Sequence, residues 1–165
     1  MISYREYLAQ DVDRLVELAN NKKVTCYMVY TFPYPYTQQA AEWWVNEGCR
    51  ANNSVNKVIE VDGVFVGSVG VAPQTGWREH VADIGYWLGE EFWGKGLATQ
   101  ALTYMTEQAF EQLHFRKLSA PVLGENKASI RVLEKCGYEL EGIQKEDVTK
   151  DGAFYDVHLY AKHRH

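Results

Sequence analysis

A strand–turn–helix pattern in the middle of the chain constrains the fold more than any other feature. Alternating apolar residues predict a strand over 81–88, the glycine-rich turn Gly94-Lys95-Gly96 follows, and a helical period extends over 97–113. The first amides of a helix lack internal partners, and glycines let a ligand approach the backbone closely. The segment therefore predicts an anion site, with a phosphate-bearing compound as its ligand.

Two other phosphate-binding motifs fit this turn poorly. Residues from Gly89 to Lys95 match the start of a P-loop, but Gly96 replaces the Ser or Thr that binds magnesium. The intervening residues 90–93 are two acids and two large rings, where a P-loop needs small residues. A dinucleotide fingerprint would need a third small residue where Thr99 stands, and no βαβ unit with a ribose-binding acid follows.

Composition narrows the class of protein further. The 165 residues suit one domain, which we assign to 1–165, and 46% hydrophobic with 24% charged residues is ordinary for a globular protein. A net charge of −5 disfavours nucleic acid as a partner and suits cationic partners such as amines. The apolar runs are too short to span a bilayer, so no membrane is expected.

The cysteines predict a reducing compartment. Cys26, Cys49 and Cys136 are odd in number and widely spaced, and we interpret them as free thiols. Neither cysteine nor histidine spacing resembles a metal site, so no metal is expected. The sequence from Met1 onward does not resemble a signal peptide, and a cytoplasmic location is therefore expected.

The remaining pattern predicts a mixed α/β fold with a central, mostly antiparallel sheet. Asp11, Thr37 and Asn126 are expected to cap helices, and Gly137 to end the last one. Further helices are expected over 24–29, 38–49 and 126–136, and further strands over 2–7, 55–61, 64–72, 118–122, 138–148 and 153–160.

Four segments in register resemble one family. Residues 83–88 (Asp-Ile-Gly-Tyr-Trp-Leu) with 93–101 resemble the acyl-CoA-binding motif of the GNAT superfamily of N-acetyltransferases, and 125–138 resemble its Asn-x-x-Ser helix. The segments 32–36 and 151–157 are similar to the RimJ/RimL-like branch. The resemblance implies a GNAT-like fold, in which two middle strands splay apart and flanking helices cover the sheet.

The resemblance also implies acetyl-CoA as the cofactor, with its pantetheine arm between the splayed strands and its diphosphate on the glycine turn. Trp93 stands where the family usually has Gln or Arg, which removes one polar contact but leaves the backbone amides. The residues expected to bind the cofactor are Tyr86, Trp87, Leu88, Trp93, Gly94, Lys95, Gly96, Leu97, Ala98, Thr99, Asn126 and Ser129.

Two residues are predicted to move protons. Asp83 matches the acidic position of the branch and interrupts an apolar strand, so it is the candidate base, with Glu60 as a rival. Ser129 matches the Ser of Asn-x-x-Ser and is the candidate acid that returns a proton to the thiolate. Structural alternatives exist for both, as a hydrogen-bonded strand residue and as a helix-start residue. Tyr138 is expected to pack in the core.

The acceptor is expected to be a primary amine. In similar proteins the first helices and their loop cover the acceptor side, so Tyr34, Tyr36 and Trp77 are candidate substrate-binding residues, although most aromatic residues of such a chain belong to its core. A protein N-terminal α-amine is one expected acceptor, and an amino acid, a polyamine or a drug are others. A non-catalytic acyl-CoA-binding module is the alternative to an enzyme. The protein is expected to be a monomer or a homodimer.

Overall fold

The computed structural model describes residues 1–28 and 32–165. The helices are α1 (Val12–Ala19), α2 (Lys22–Thr25), α3 (Gln38–Asn46), α4 (Leu97–Glu111) and α5 (Lys127–Lys135). The strands are β1 (Ile2–Arg5), β2 (Val55–Val61), β3 (Val64–Pro73), β4 (Val81–Leu88), β5 (Lys117–Leu123), β6 (Glu139–Lys150) and β7 (Ala153–His163).

The seven strands form one mixed sheet in the order β1-β2-β3-β4-β5-β7-β6. All neighbours are antiparallel except β4 and β5, whose parallel pairing runs from Val81–Lys117 only to Asp83–Ser119. Beyond that point β4 stays paired with β3 as far as Leu88, and β5 stays paired with β7. The sheet therefore divides into two halves after Asp83, which confirms the splayed middle strands expected from the sequence.

Two apolar clusters cover opposite faces of this sheet. On one face α4 and α5 bury Leu102, Met105 and Leu133 against the strands. On the other face α1 and α3 bury Leu15 and Ala41 against β2 and β3. Because side chains alternate along a strand, successive residues of β4 face these two layers in turn.

Local signals predicted most element boundaries. The Thr37 hydroxyl accepts from the Ala40 amide at 3.1 Å and caps α3, as expected. Asp11 was expected to cap α1, but its carboxylate instead accepts from the Arg5 guanidinium and the Leu8 amide. Several helices end earlier than predicted. α3 ends at Asn46 and α4 at Glu111, and the helix expected over 24–29 is observed as α2, its predicted end at Val29 lying outside the described residues. In the described part of the chain, no helix is long and apolar enough to cross a membrane.

Candidate active site

The glycine turn between β4 and α4 has the backbone geometry of an anion site. Gly94 and Gly96 have φ angles of 74° and 75°, in the left-handed region that favours glycine. Nothing lies within 4 Å of where a Cβ would be on either residue. Gly96 immediately precedes α4 and has no side chain to cap it, so no side chain of Gly96 satisfies the first amides of the helix.

The charges around this turn favour an anion. The Lys95 ammonium lies 5.6 Å from the centre of the Phe92 ring, beside the turn. Two acids precede the turn, but each faces a cation: Glu90 lies 3.3 Å from Lys23, and Glu91 lies 3.8 Å from Arg14. These pairs offset the negative charge next to the amides, which the helix dipole also makes electropositive.

Trp93 has a structural role at the position where the family usually has Gln or Arg. Its indole N–H donates to the carbonyl of Leu88 at 3.0 Å. The bond ties the start of the turn to the end of β4, and the ring stays about half exposed. Trp93 therefore positions the turn from outside.

The divergence of β4 and β5 opens a slot that leads to this turn. On the β5 side, residues 84–88 of β4 lie beyond the last paired residues of the two strands. A Cβ on Gly85 would have nothing within 4 Å, so the strand is also open above its plane there. An extended ligand that carries amides can bond to such a strand edge as an added strand would.

Two hydroxyls meet across the slot on the face covered by α4 and α5. The Tyr86 Oη on β4 lies 2.8 Å from the Ser129 Oγ in the first turn of α5. The Asn126 side chain accepts from the Ser129 amide at 3.3 Å, so it caps α5 as predicted and fixes the backbone of Ser129. Burial raises the pKa of Tyr86 to about 12, so its phenol keeps its proton at neutral pH.

Asp83 lies on the opposite face of β4, at the apex of the slot. It is the last residue of β4 paired with β5, and the Gln74 side-chain amide donates to its Oδ1 at 2.9 Å. Tyr86 is three positions after Asp83, which corresponds to about 10 Å along the strand. An odd separation places the two side chains on opposite faces. The carboxylate and the hydroxyl pair therefore lie on opposite faces of the slot.

The predicted acceptor residues differ in their environments. Tyr36 is only 5% exposed, and its ring lies 5.3 Å from that of Phe32, in the apolar cluster of the α1–α3 face. Tyr34 is 54% exposed on the loop before α3, and Trp77 is 99% exposed on the turn before β4. Tyr36 therefore packs in the core, whereas Tyr34 and Trp77 are accessible.

The other predicted residues also have identifiable positions. Leu97, Ala98 and Thr99 form the partly buried first turn of α4, and the side chain of Leu88 is buried in the core. The Trp87 ring lies 6.1 Å from that of Phe32, so its side chain lies on the α1–α3 face rather than on the α4–α5 face.

Glu60 and Tyr138 each make specific side-chain contacts. Glu60, the rival base, makes an ion pair with Arg5, which also binds Asp11, so its carboxylate is committed to the junction of β1 and β2. Tyr138 is buried, and its hydroxyl lies 2.7 Å from that of Thr106, so it packs in the core as predicted.

These residues fit acetyl-CoA. Open space above two glycines, uncapped helix amides and a neighbouring lysine suit a diphosphate, and the unpaired edge of β4 suits an extended amide-bearing arm. Sequence reasoning missed two contacts, that of Gln74 with Asp83 and that of Lys150 with the carboxyl end of α2. Neither belongs to a local motif, and only the packing of distant segments identifies them.

Comparisons with known proteins agree with this geometry. The family model described as acetyltransferase (GNAT) domain matches residues 2–139. The chain is 30% identical to the uncharacterized N-acetyltransferase p20 of Bacillus licheniformis over 168 residues, covering 97% of this chain and 91% of that protein. It is 33% identical to the ribosomal-protein-serine acetyltransferase of Escherichia coli over 81 residues, covering 49% of this chain and 45% of that relative.

A solved structure extends the similarity to the whole fold. RimJ of Mycobacterium smegmatis, in complex with CoA-disulfide, superposes with a TM-score of 0.86 at 27% identity. The superposition covers 98% of this chain and 81% of that one, so the β6–β7 hairpin beyond the family match is included.

Proposed function

This chain belongs to the GNAT acetyltransferase family and is an acetyl-CoA-dependent N-acetyltransferase, and we propose that its acceptor is a protein N-terminal α-amine that enters the slot from the α1–α3 face. The observation that carries the proposal is the opening at Gly85, which lies between Asp83 and Trp87 on that face of β4. A carboxylate next to an opening suits a cationic acceptor, and so does the net charge of −5.

Asp83 acts as the base in this proposal. Acetyl-CoA supplies the activated acetyl group as a thioester, and the acceptor nitrogen must lose a proton as the C–N bond replaces the C–S bond. Asp83 accepts that proton, directly or through one water. The Gln74 amide holds one carboxylate oxygen in a fixed position, so the carboxylate is oriented before the amine arrives.

Ser129 returns a proton to the sulfur on the opposite face. A serine hydroxyl has one proton, so it can serve the sulfur only if the Tyr86–Ser129 hydrogen bond does not use it. Tyr86 therefore donates to the Ser129 oxygen and leaves the serine proton free to point into the slot. As the serine proton passes to the sulfur, the phenol proton passes to the serine oxygen, and water then reprotonates Tyr86. The raised pKa of Tyr86, near 12, keeps the phenol protonated as this direction requires.

The relatives support a protein acceptor. The name of the Escherichia coli relative assigns it a ribosomal-protein acceptor, and its aligned segment covers about half of this chain. We also expect a reducing compartment such as the cytoplasm, which suits the three free cysteines.

An amine panel tests the proposal. Purified protein is incubated with acetyl-CoA and three classes of acceptor: hexapeptides with a free N-terminal serine or alanine, spermidine, and free amino acids. We expect release of CoA thiol with the hexapeptides, and loss of that release when the same peptides carry a blocked N-terminus. Turnover confined to spermidine or to amino acids would overturn the acceptor assignment. Acetyl-CoA binding with no turnover across the panel would favour a non-catalytic module.

A further inference from the structure

The two halves of the sheet are joined differently on its two faces. On the α4–α5 face, the Tyr86–Ser129 and Thr106–Tyr138 hydroxyl pairs connect them. On the acceptor face, Lys150 makes the hydrogen bonds from the β6–β7 hairpin to the α1–α3 layer. Within residues 1–28 and 32–165, no other residue of the hairpin bonds to that layer. The acceptor face therefore depends on one side chain for its polar connection across the slot.

Lys150 satisfies the carbonyls that follow a short helix. Its Nζ lies 3.0 Å from the carbonyl oxygen of Thr25 and 2.9 Å from those of Cys26 and Met28. The last carbonyls of a helix lack internal partners, and an ammonium has three protons to donate. All three protons of Lys150 thus have backbone acceptors at the carboxyl end of α2.

This contact fixes the border of the acceptor side. Lys150 ends β6 in the half of the sheet that contains β5, whereas Lys23 of α2 lies 3.3 Å from Glu90, which follows β4. Shortly after α2, the ring of Phe32 contacts those of Trp87 and Tyr36. Trp87 in turn borders the opening at Gly85. Lys150 therefore bonds to the chain at Met28, four positions before Phe32 in the sequence.

We infer that Lys150 is a positioning residue for acceptor binding, which holds the β6–β7 hairpin against the carboxyl end of α2 and so fixes the acceptor-side border of the slot. The inference rests on the proposed function, because it assumes that the acceptor enters from this face. The hydrogen bonds of Lys150 go to the carbonyls of Thr25, Cys26 and Met28, none of which we assign to acetyl-CoA, so acetyl-CoA binding is expected not to depend on it.

Steady-state kinetics of three variants test the inference. Lys150→Met removes all three donors, Lys150→Arg keeps the charge with a different geometry, and Lys145→Met is the control, an exposed lysine on the same strand. With a hexapeptide that has a free N-terminal serine, we expect Lys150→Met to raise the acceptor KM about tenfold, the effect of about one charge-assisted hydrogen bond. Lys150→Arg should recover part of this loss, and Lys145→Met should change KM less than about twofold.

Acetyl-CoA binding separates positioning from general damage. The Kd of acetyl-CoA, measured by calorimetry, should be the same in the wild type and in all three variants. An unchanged acceptor KM in Lys150→Met, or an equal loss of acceptor and acetyl-CoA binding, would overturn the inference.

Limited proteolysis tests the contact without turnover. Chymotrypsin should cut after Tyr27 about ten times faster in Lys150→Met than in the wild type or Lys145→Met, because cleavage follows the population of the opened segment. Equal cleavage rates would show that Lys150 does not hold this segment. If the wild type acetylates no peptide, the proposed function fails, and the role of Lys150 in acceptor binding fails with it. The cleavage rates still decide whether Lys150 holds the hairpin against α2.

Discussion

Replacing Gly96 by alanine tests the diphosphate site with a matched control in the same chain. Gly96 has φ of 75° and Gly63, in the β2–β3 turn, has φ of 79°, and a Cβ would meet nothing within 4 Å at either position. Alanine in the left-handed region costs about 1–2 kcal/mol at each site. Both variants should therefore lose the same stability, and only Gly96→Ala places a methyl group over the amides that we assign to the diphosphate.

The expected sizes follow from this difference. For a chain of 165 residues, a loss of 1–2 kcal/mol lowers Tm by about 2–8 °C, and this should hold for both variants. A ligand at 100 times its Kd stabilises the folded state by about 2.7 kcal/mol. If the methyl group weakens acetyl-CoA about 100-fold, the same concentration stabilises Gly96→Ala by only about 0.4 kcal/mol.

Thermal melts with and without acetyl-CoA measure both effects together. The wild type and Gly63→Ala should gain about 5–11 °C on addition of acetyl-CoA, and Gly96→Ala about 1–2 °C. The melt without ligand also shows that each variant folds. A full acetyl-CoA shift in Gly96→Ala would refute the assignment of the diphosphate to this turn.

Three further predictions concern protons. Ser129→Ala should lower kcat about 100-fold and Tyr86→Phe about tenfold in steady-state kinetics. The double variant should lose no more than Ser129→Ala alone, because both residues act through one hydrogen bond. Additive losses would contradict proton transfer through that shared hydrogen bond. Asp83→Asn should lower kcat about 100-fold and leave the Kd of acetyl-CoA unchanged. Gln74→Leu should cause part of the same loss, because the Gln74 amide orients the carboxylate. A wild-type rate in Asp83→Asn would exclude Asp83 as the base. Burial raises the pKa of Tyr36 and of Tyr86 to about 12, so the unfolded chain ionises first as the pH rises above about 10. Stability should then fall by roughly 1.4 kcal/mol per pH unit for each tyrosine up to pH 12, and urea melts that do not weaken over this range would contradict these pKa values.

Local sequence patterns predicted the helices and strands that form the site, because the signals that start and end them come from residues close in sequence. The helix caps Thr37 and Asn126 bind amides three residues later, and Gly137 has φ of 83° at the end of α5, so short-range signals suffice. Asp11 was assigned the wrong partner because its residue type is a good cap, whereas Arg5 on the preceding strand competes for its carboxylate.

The structure distinguishes buried from accessible aromatic residues, which composition alone could not do. Tyr36 and Tyr34 are two residues apart in the same proline-rich loop, yet one is buried and the other exposed. The difference arises because the Tyr36 amide bonds to the side chain of Asn20, which fixes the loop against α1. A pattern within the loop carries no information about that contact.

The two faces of the slot show where sequence reasoning ends. Once β4 is known to be a strand, Asp83 and Tyr86 must lie on opposite faces, because their separation of three is odd. Chain order alone therefore places the candidate base and the Tyr86 hydroxyl on opposite faces. The hydroxyl of Tyr86 reaches Ser129, which is 43 residues away in the sequence. This contact depends on the position of α5 after β5. The Lys150 contact spans more than 120 residues and joins an exposed hairpin to a four-residue helix, so it required the folded chain.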